Sequence, residues 1–161
     1  MKLKDAERIS IVPFNSRYRE AFFFLNREWI EERWELEKID YDILKNPEAS
    51  ITEVGGEIFF ALVSGAPVGT CAMIPHGPRT YELAKMAVTK TARGKGCGHR
   101  LMDEAIQWAR SRNAIKVVLC SNRKLASAIH LYGKYGFVEA PGAENYGYDR
   151  VDIAMELLLN R

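Results

Sequence analysis

The chain has 161 residues, 47% of them hydrophobic, which fills one core and leaves little room for a second domain. Charged residues nearly cancel, 23 Lys and Arg against 21 Asp and Glu, and a formal charge of +2 argues against a dedicated nucleic-acid binder, which needs a basic stripe. Cys71, Cys97 and Cys120 are an odd, widely spaced set that reads as free thiols, and neither they nor His76, His99 and His130 show metal-ligand spacing. The first six residues, Met1 onward, lack the apolar run of a signal peptide, and no 18-residue apolar span occurs, so the expectation is a soluble cytoplasmic protein with no membrane partner.

Residues 9–14 form a short apolar run ending near Pro13, an edge strand in pattern, after which Asn15 and Ser16 can cap a helix. From 17 to about 42 the pattern is that of an amphipathic helix pair, aromatic at Tyr18, Phe22, Phe23, Phe24, Trp29 and Trp34 and acidic at Glu28, Glu31, Glu32, Glu35 and Glu37, closed by Asn46-Pro47. Two apolar runs, 58–63 and 68–74, read as a hairpin with a four-residue turn at 64–67, and a third strand at 80–88 follows the break at Pro75 to Pro78. The second half changes character. A glycine-rich loop at 93–98 leads to a helix at about 99–112 whose core face is Leu101, Met102, Ala105, Ile106 and Ala109; a strand at 115–120, a helix at 125–135, a flexible polar stretch at 141–148 and a strand at 151–159 follow. The strand-loop-helix-strand unit favours a parallel pairing inside an otherwise antiparallel meander.

The loop Arg93-Gly94-Lys95-Gly96-Cys97-Gly98 carries the chemistry. Between a strand and a helix, exposed backbone N–H groups and the helix dipole attract phosphate, and glycine lets the backbone approach closely. An NTPase phosphate loop needs Ser or Thr after its lysine, whereas Gly96 follows Lys95. A dinucleotide fingerprint needs a third Gly or Ala where this chain has His99 or Leu101.

The loop resembles instead the [Q/R]-x-x-G-x-[G/A] pyrophosphate loop of the GNAT acetyltransferases. Downstream, Ser121-Asn122 and the run from Ala128 through Leu131-Tyr132, Lys134 and Gly136-Phe137 are similar to that family's A-x-x-L-Y-x-K-x-G-F helix, so three motifs stand in the family's order. The resemblance covers roughly residues 58–158 and, more loosely, the N-terminal helices. It implies a mixed α/β fold, a mostly antiparallel seven-stranded sheet flanked by about four helices and splayed centrally, near Val88 and residues 115–120, to hold acetyl-CoA as co-substrate without a metal.

By the same resemblance, Met86, Ala87 and Val88 hold the pantetheine arm through their backbone, and Gly94, Lys95, Gly96, Cys97, Gly98 and His99 hold the pyrophosphate, with Arg93 and Lys95 adding charge. Tyr132 matches the tyrosine that protonates the departing thiolate. Glu82, fourteen positions before Gly96, stands where some members carry a base; others use a water chain, and both routes stay open. The family asparagine often stands seven residues before the tyrosine, which here is Leu125; Asn122, ten before it, either touches the cofactor or caps the following helix. Cys97 lies in the phosphate loop without a matched base, against an acyl-enzyme route. The expected activity is N-acetyl transfer to an amine of a small molecule or peptide in a ternary complex, with a homodimer admissible and a non-catalytic acyl-CoA-binding module as the alternative. The acids Glu28, Glu31, Glu32 and Glu35 are candidates to line an amine site.

Overall fold

The structure, a computed structural model, describes residues 8–140 and 146–159. The readings of the N-terminal six residues and of 141–145 fall outside them. Seven strands form one sheet in the order β1-β2-β3-β4-β5-β7-β6: β1 (Ile9–Pro13), β2 (Glu57–Val63), β3 (Ala66–Gly77), β4 (Thr80–Val88), β5 (Lys116–Ser121), β6 (Val138–Glu139) and β7 (Ile153–Leu158). All neighbours are antiparallel except β4 and β5. The helices are α1 (Arg19–Glu31), α2 (Lys38–Leu44), α3 (Cys97–Ser111) and α4 (Ala126–Lys134), with shorter turns between.

The sheet is covered on both faces, so its central strands read as continuous apolar runs rather than alternating ones. In β2, Ile58, Phe60 and Leu62 pack with Phe22 of α1 and Leu44 of α2, while Phe59 and Ala61 pack with Leu101, Met102 and Ala105 of α3. The predicted core face of α3 holds, with Ile106 half-buried at its margin. Asn15 caps the first turn, its Oδ1 accepting from the N–H of Arg17, but the helical region from 17 to 42 is broken at Glu32–Glu37. There Glu37 and Asp40 exchange capping hydrogen bonds and start α2 afresh.

Two turns differ from expectation. The hairpin between β2 and β3 closes over two residues, Ser64 (φ 52) and Gly65 (φ 78), because Val63 pairs with Ala66; two successive positive φ values match strand twist better than a four-residue loop. Strand β3 runs through Pro75, which pairs with Tyr81 of β4, after its pairing to β2 has ended at Met73, so on that side the missing N–H is not needed. Strand β6, only two residues long, has no pattern of its own to read.

Candidate active site

Strands β4 and β5 pair in parallel over three positions only, Thr80↔Lys116, Tyr81↔Val117 and Glu82↔Val118. Beyond Glu82 and Val118 they part, so the closed end of the V is at residues 116–118 and the open end at Val88 and Ser121. The opening is a cavity of about 630 Å³ whose walls include Glu82 and Lys85 from β4, Cys120 from β5, Tyr132 from α4, and Tyr148 and Arg150 from the segment before β7.

The glycine-rich loop closes one end. Gly94 (φ +76) and Gly96 (φ +93) lie in the left-handed region, and a Cβ on either meets nothing within 4 Å, so glycine is required there by backbone conformation and leaves an open face for a ligand. Gly96 precedes α3, whose first helical bond back into the loop is from Arg100 N to Gly96 O at 3.0 Å. The N–H groups of Cys97, Gly98 and His99 therefore have no helical carbonyl behind them, the donor set that binds phosphate. This cradle has the donors to fit the pyrophosphate of acetyl-CoA, and beside it β4 from Met86 to Val88 is open on its β5 side only, since Ala87 and Val88 pair with Thr70 and Gly69 of β3 on the other. Cys97 sinks its side chain into the α3 core, and burial raises its thiol, which suits packing rather than nucleophilic attack.

Helix α1 is strapped to this loop. Arg93 donates from Nε to the carbonyl of Val88 at 2.8 Å and meets Glu32 through both terminal nitrogens at 3.2 and 2.6 Å. Glu28 accepts from Thr89 Oγ1 at 2.9 Å and from the N–H of Lys90 at 3.3 Å. Glu31 pairs with Arg27 on the outer face and Glu35 is exposed. None of these four acids lines the cavity, so they do not form the expected amine site. Lys95 also stays outside the cavity wall, on the exposed tip of the loop.

At the other end stand the two proton-transfer candidates. Burial pushes the Glu82 carboxyl up from an ordinary 4.5 to about 7, against the pull of the Lys85 charge. Burial likewise drives the Tyr132 phenol well above its ordinary 10, so it is protonated at neutral pH. Asn122 does not cap α4, whose N-cap is Leu125 without a side-chain bond. Its Nδ2 donates to the carbonyl of Arg150 at 2.7 Å and its Oδ1 accepts from the N–H of Lys124 at 2.9 Å, tying the end of β5 to the segment before β7 at the cavity wall.

Beside Glu82 lies an ion-pair network that sequence reasoning did not find. The Asp40 carboxylate, fully buried, accepts from Lys85 Nζ at 2.6 Å and from both terminal nitrogens of Arg150 at 2.7 and 2.8 Å. Arg150 also reaches Glu37 Oε2 at 3.0 Å. The Tyr148 ring lies 4.6 Å from Lys85 Nζ and 4.7 Å from the Arg150 guanidinium. Burial alone pushes Asp40 up, but the Arg150 hydrogen bonds and Lys85 outweigh it and hold the carboxyl down to about 2. The single local trace in the sequence is the Glu37-to-Asp40 capping spacing.

A mixed sheet parted between β4 and β5, with a glycine loop opening a helix at the gap, defines a class of acyl-CoA-binding folds, and comparisons with known proteins place the chain within it. The model of the acetyltransferase (GNAT) family matches residues 15–137. A Rattus norvegicus protein, N-acetyltransferase family 8 member 2, is 30% identical over 108 residues, covering 67% of this chain and 43% of the relative, so the chain matches under half of that protein's length. A Staphylococcus aureus acetyltransferase of the GNAT family superposes with a TM-score of 0.86 at 23% identity, covering 95% of this chain and 100% of the other. The Salmonella typhimurium protein yncA, solved with its cofactor acetyl-CoA, superposes with a TM-score of 0.74 at 18% identity over 96% of both chains. The chain belongs to the GNAT acetyltransferase family.

Proposed function

We propose that the protein transfers the acetyl group of acetyl-CoA to an amine of a small molecule or peptide, by direct attack in a ternary complex. The observation that carries this reading is that one cavity wall joins Gly94, Gly96, Cys97, Gly98 and His99 of the loop with Glu82 and Tyr132. Acetyl-CoA supplies an activated thioester; the chain supplies placement and proton transfer. Loop N–H groups and the α3 terminus hold the phosphates, and the edge of β4 from Met86 to Val88 that β5 leaves open aligns the arm so that the acyl carbon reaches the closed end of the V. An alkyl ammonium, with a pKa of about 10, attacks only once deprotonated. Glu82, near neutrality, is matched to take that proton, and its ionised fraction rises as pH rises through about 7. Tyr132, held neutral by burial, donates its phenolic proton to the sulfur that leaves.

Calorimetric titration with acetyl-CoA tests the cradle, alongside thiol release across a panel of amines, peptides and aminoglycosides. Acetyl-CoA should bind, and Gly96→Val, which puts a branched side chain on the cradle at a left-handed position, should weaken binding at least tenfold in a folded protein. Undiminished affinity in Gly96→Val refutes the cradle. Binding without acetylation of any acceptor would favour a non-catalytic acyl-CoA-binding module.

A further inference from the structure

Lys85 sits in an uncommon place for a lysine: mid-strand, 4% exposed in its side chain, with a backbone φ of 55°. The register explains it. Thr70 pairs with Ala87 but Ala72 pairs with Ala84, so β4 carries one residue more than β3 between these rungs, a β-bulge around Lys85 and Met86. In a regular strand, residues three apart face opposite sides. Lys85 would then join Leu83 on the α3 face, in the apolar core. The extra residue turns it to the α2 face, where Asp40 receives it, and puts it on the same cavity wall as Glu82. Holding a non-glycine residue in the left-handed region is strained, and strain of this kind concentrates at functional sites.

Other groups face Glu82 as well. From β5 comes Cys120, raised by burial to about 12, and from the segment before β7 comes Tyr148, also raised by burial; both are neutral at physiological pH. Tyr132 on α4 is neutral too, and the α1 side chains on the cavity wall, Asn26, Trp29 and Ile30, carry no charge. On the α2 side, Asp40 and Glu37 are taken up by Arg150 and Lys85. Lys85 is thus the charged group that acts on Glu82 among those named. Burial draws its own ammonium below the usual lysine range, and Asp40 at 2.6 Å is the main opposing influence.

We propose that Lys85 is a positioning residue for the reaction: the β4 bulge delivers its ammonium to the face shared with Glu82, where its charge, held in place by Asp40, opposes the effect of burial and favours the carboxylate form. The inference rests on Glu82 serving as the base. A purely structural Lys85 would brace α2 against the sheet and leave the Glu82 titration unchanged.

The test is a carbon-13 NMR titration of the full-length protein labelled in glutamate side chains, with the Glu82 signal assigned by its loss in Glu82→Gln, beside pH profiles of kcat/KM. Lys85→Met should raise the Glu82 midpoint by about one pH unit, shifting the acid limb of kcat/KM upward with it, and Lys85→Arg should return both toward wild type. Lys85→Gln, which keeps a donor for Asp40, serves the same comparison if the Met variant does not fold. A folded neutral variant with an unmoved Glu82 midpoint overturns the inference while leaving the Glu82 assignment intact. A midpoint that moves under a kcat/KM profile that neither variant nor Glu82→Gln alters refutes the base assignment, and the role of Lys85 in the reaction with it.

Discussion

Placing Glu82 in the cavity wall carries a stability cost that can be measured without knowing any substrate. The carboxyl rises from an ordinary 4.5 to about 7 because burial disfavours its charge. At about 1.4 kcal/mol for each tenfold change in proton affinity, that rise corresponds to about 3 kcal/mol. The sign follows from proton counting: between these two values the folded protein holds a proton that the unfolded chain has released, so stability falls as pH rises through the window. Glu82→Gln mimics the protonated acid and removes this loss. The variant should match wild type near pH 4.5 and exceed it by about 3 kcal/mol at pH 8, less whatever water in the cavity recovers. Urea unfolding of both proteins, at several pH values and without acetyl-CoA, reads the difference directly. A gap of equal size at pH 5 and pH 8 would show that Glu82 is solvated and would refute the burial argument. In the same variant, kcat/KM should lose its acid limb near pH 7.

Two further substitutions probe the other groups. Tyr132→Phe keeps the ring that packs on Phe137 but deletes the donor, so turnover should fall roughly 10²-fold with acetyl-CoA affinity unchanged, and steady-state kinetics showing full turnover would leave Tyr132 as packing alone. Asp40→Asn strips a buried carboxylate from Lys85 and Arg150 and should cost about 3–5 kcal/mol near neutral pH by denaturant unfolding. Because Asp40 is held at about 2, below its ordinary 3.8, its contribution is complete above pH 4 and declines as pH falls through 2; a penalty that does not narrow toward pH 2 would contradict the ion-pair account.

The elements were largely legible because their signals are local. Leu101, Met102, Ala105 and Ala109 repeat at helical spacing, and the buried runs of β2 and β5 are bounded by turn residues. The glycine-rich loop at the start of α3 was legible for the same reason, its glycines lying within six consecutive residues. The Asp40 network was not: Lys85 lies 45 positions from its partner and Arg150 lies 110, and no periodicity links such distances. A lysine inside a strand reads as a solvent-facing residue, and only the bulge, a mismatch of register with β3, turns this one to the α2 face where Asp40 receives it. The acids of α1 misled in the opposite direction. Glu28 and Glu32 face the loop rather than the cavity because Thr89 and Arg93, far along the chain, take them up.

The three-position contact between β4 and β5 leaves the sheet as two leaves, β1-β2-β3-β4 and β5-β7-β6, riveted at one corner. Each leaf keeps its own hydrogen-bond ladder, so the angle between them is set by what packs at the seam rather than by backbone pairing. Side chains such as Tyr148 and Arg150, on the segment leading into β7, act there as shims. Changing them would widen or narrow the far end of the gap while the phosphate cradle on the other leaf kept its shape. Such an architecture builds the two ends of the gap differently: the loop is six consecutive residues, whereas the seam gathers side chains from α2, β4 and the segment before β7, which is why the loop is recognisable in the sequence and the seam is not.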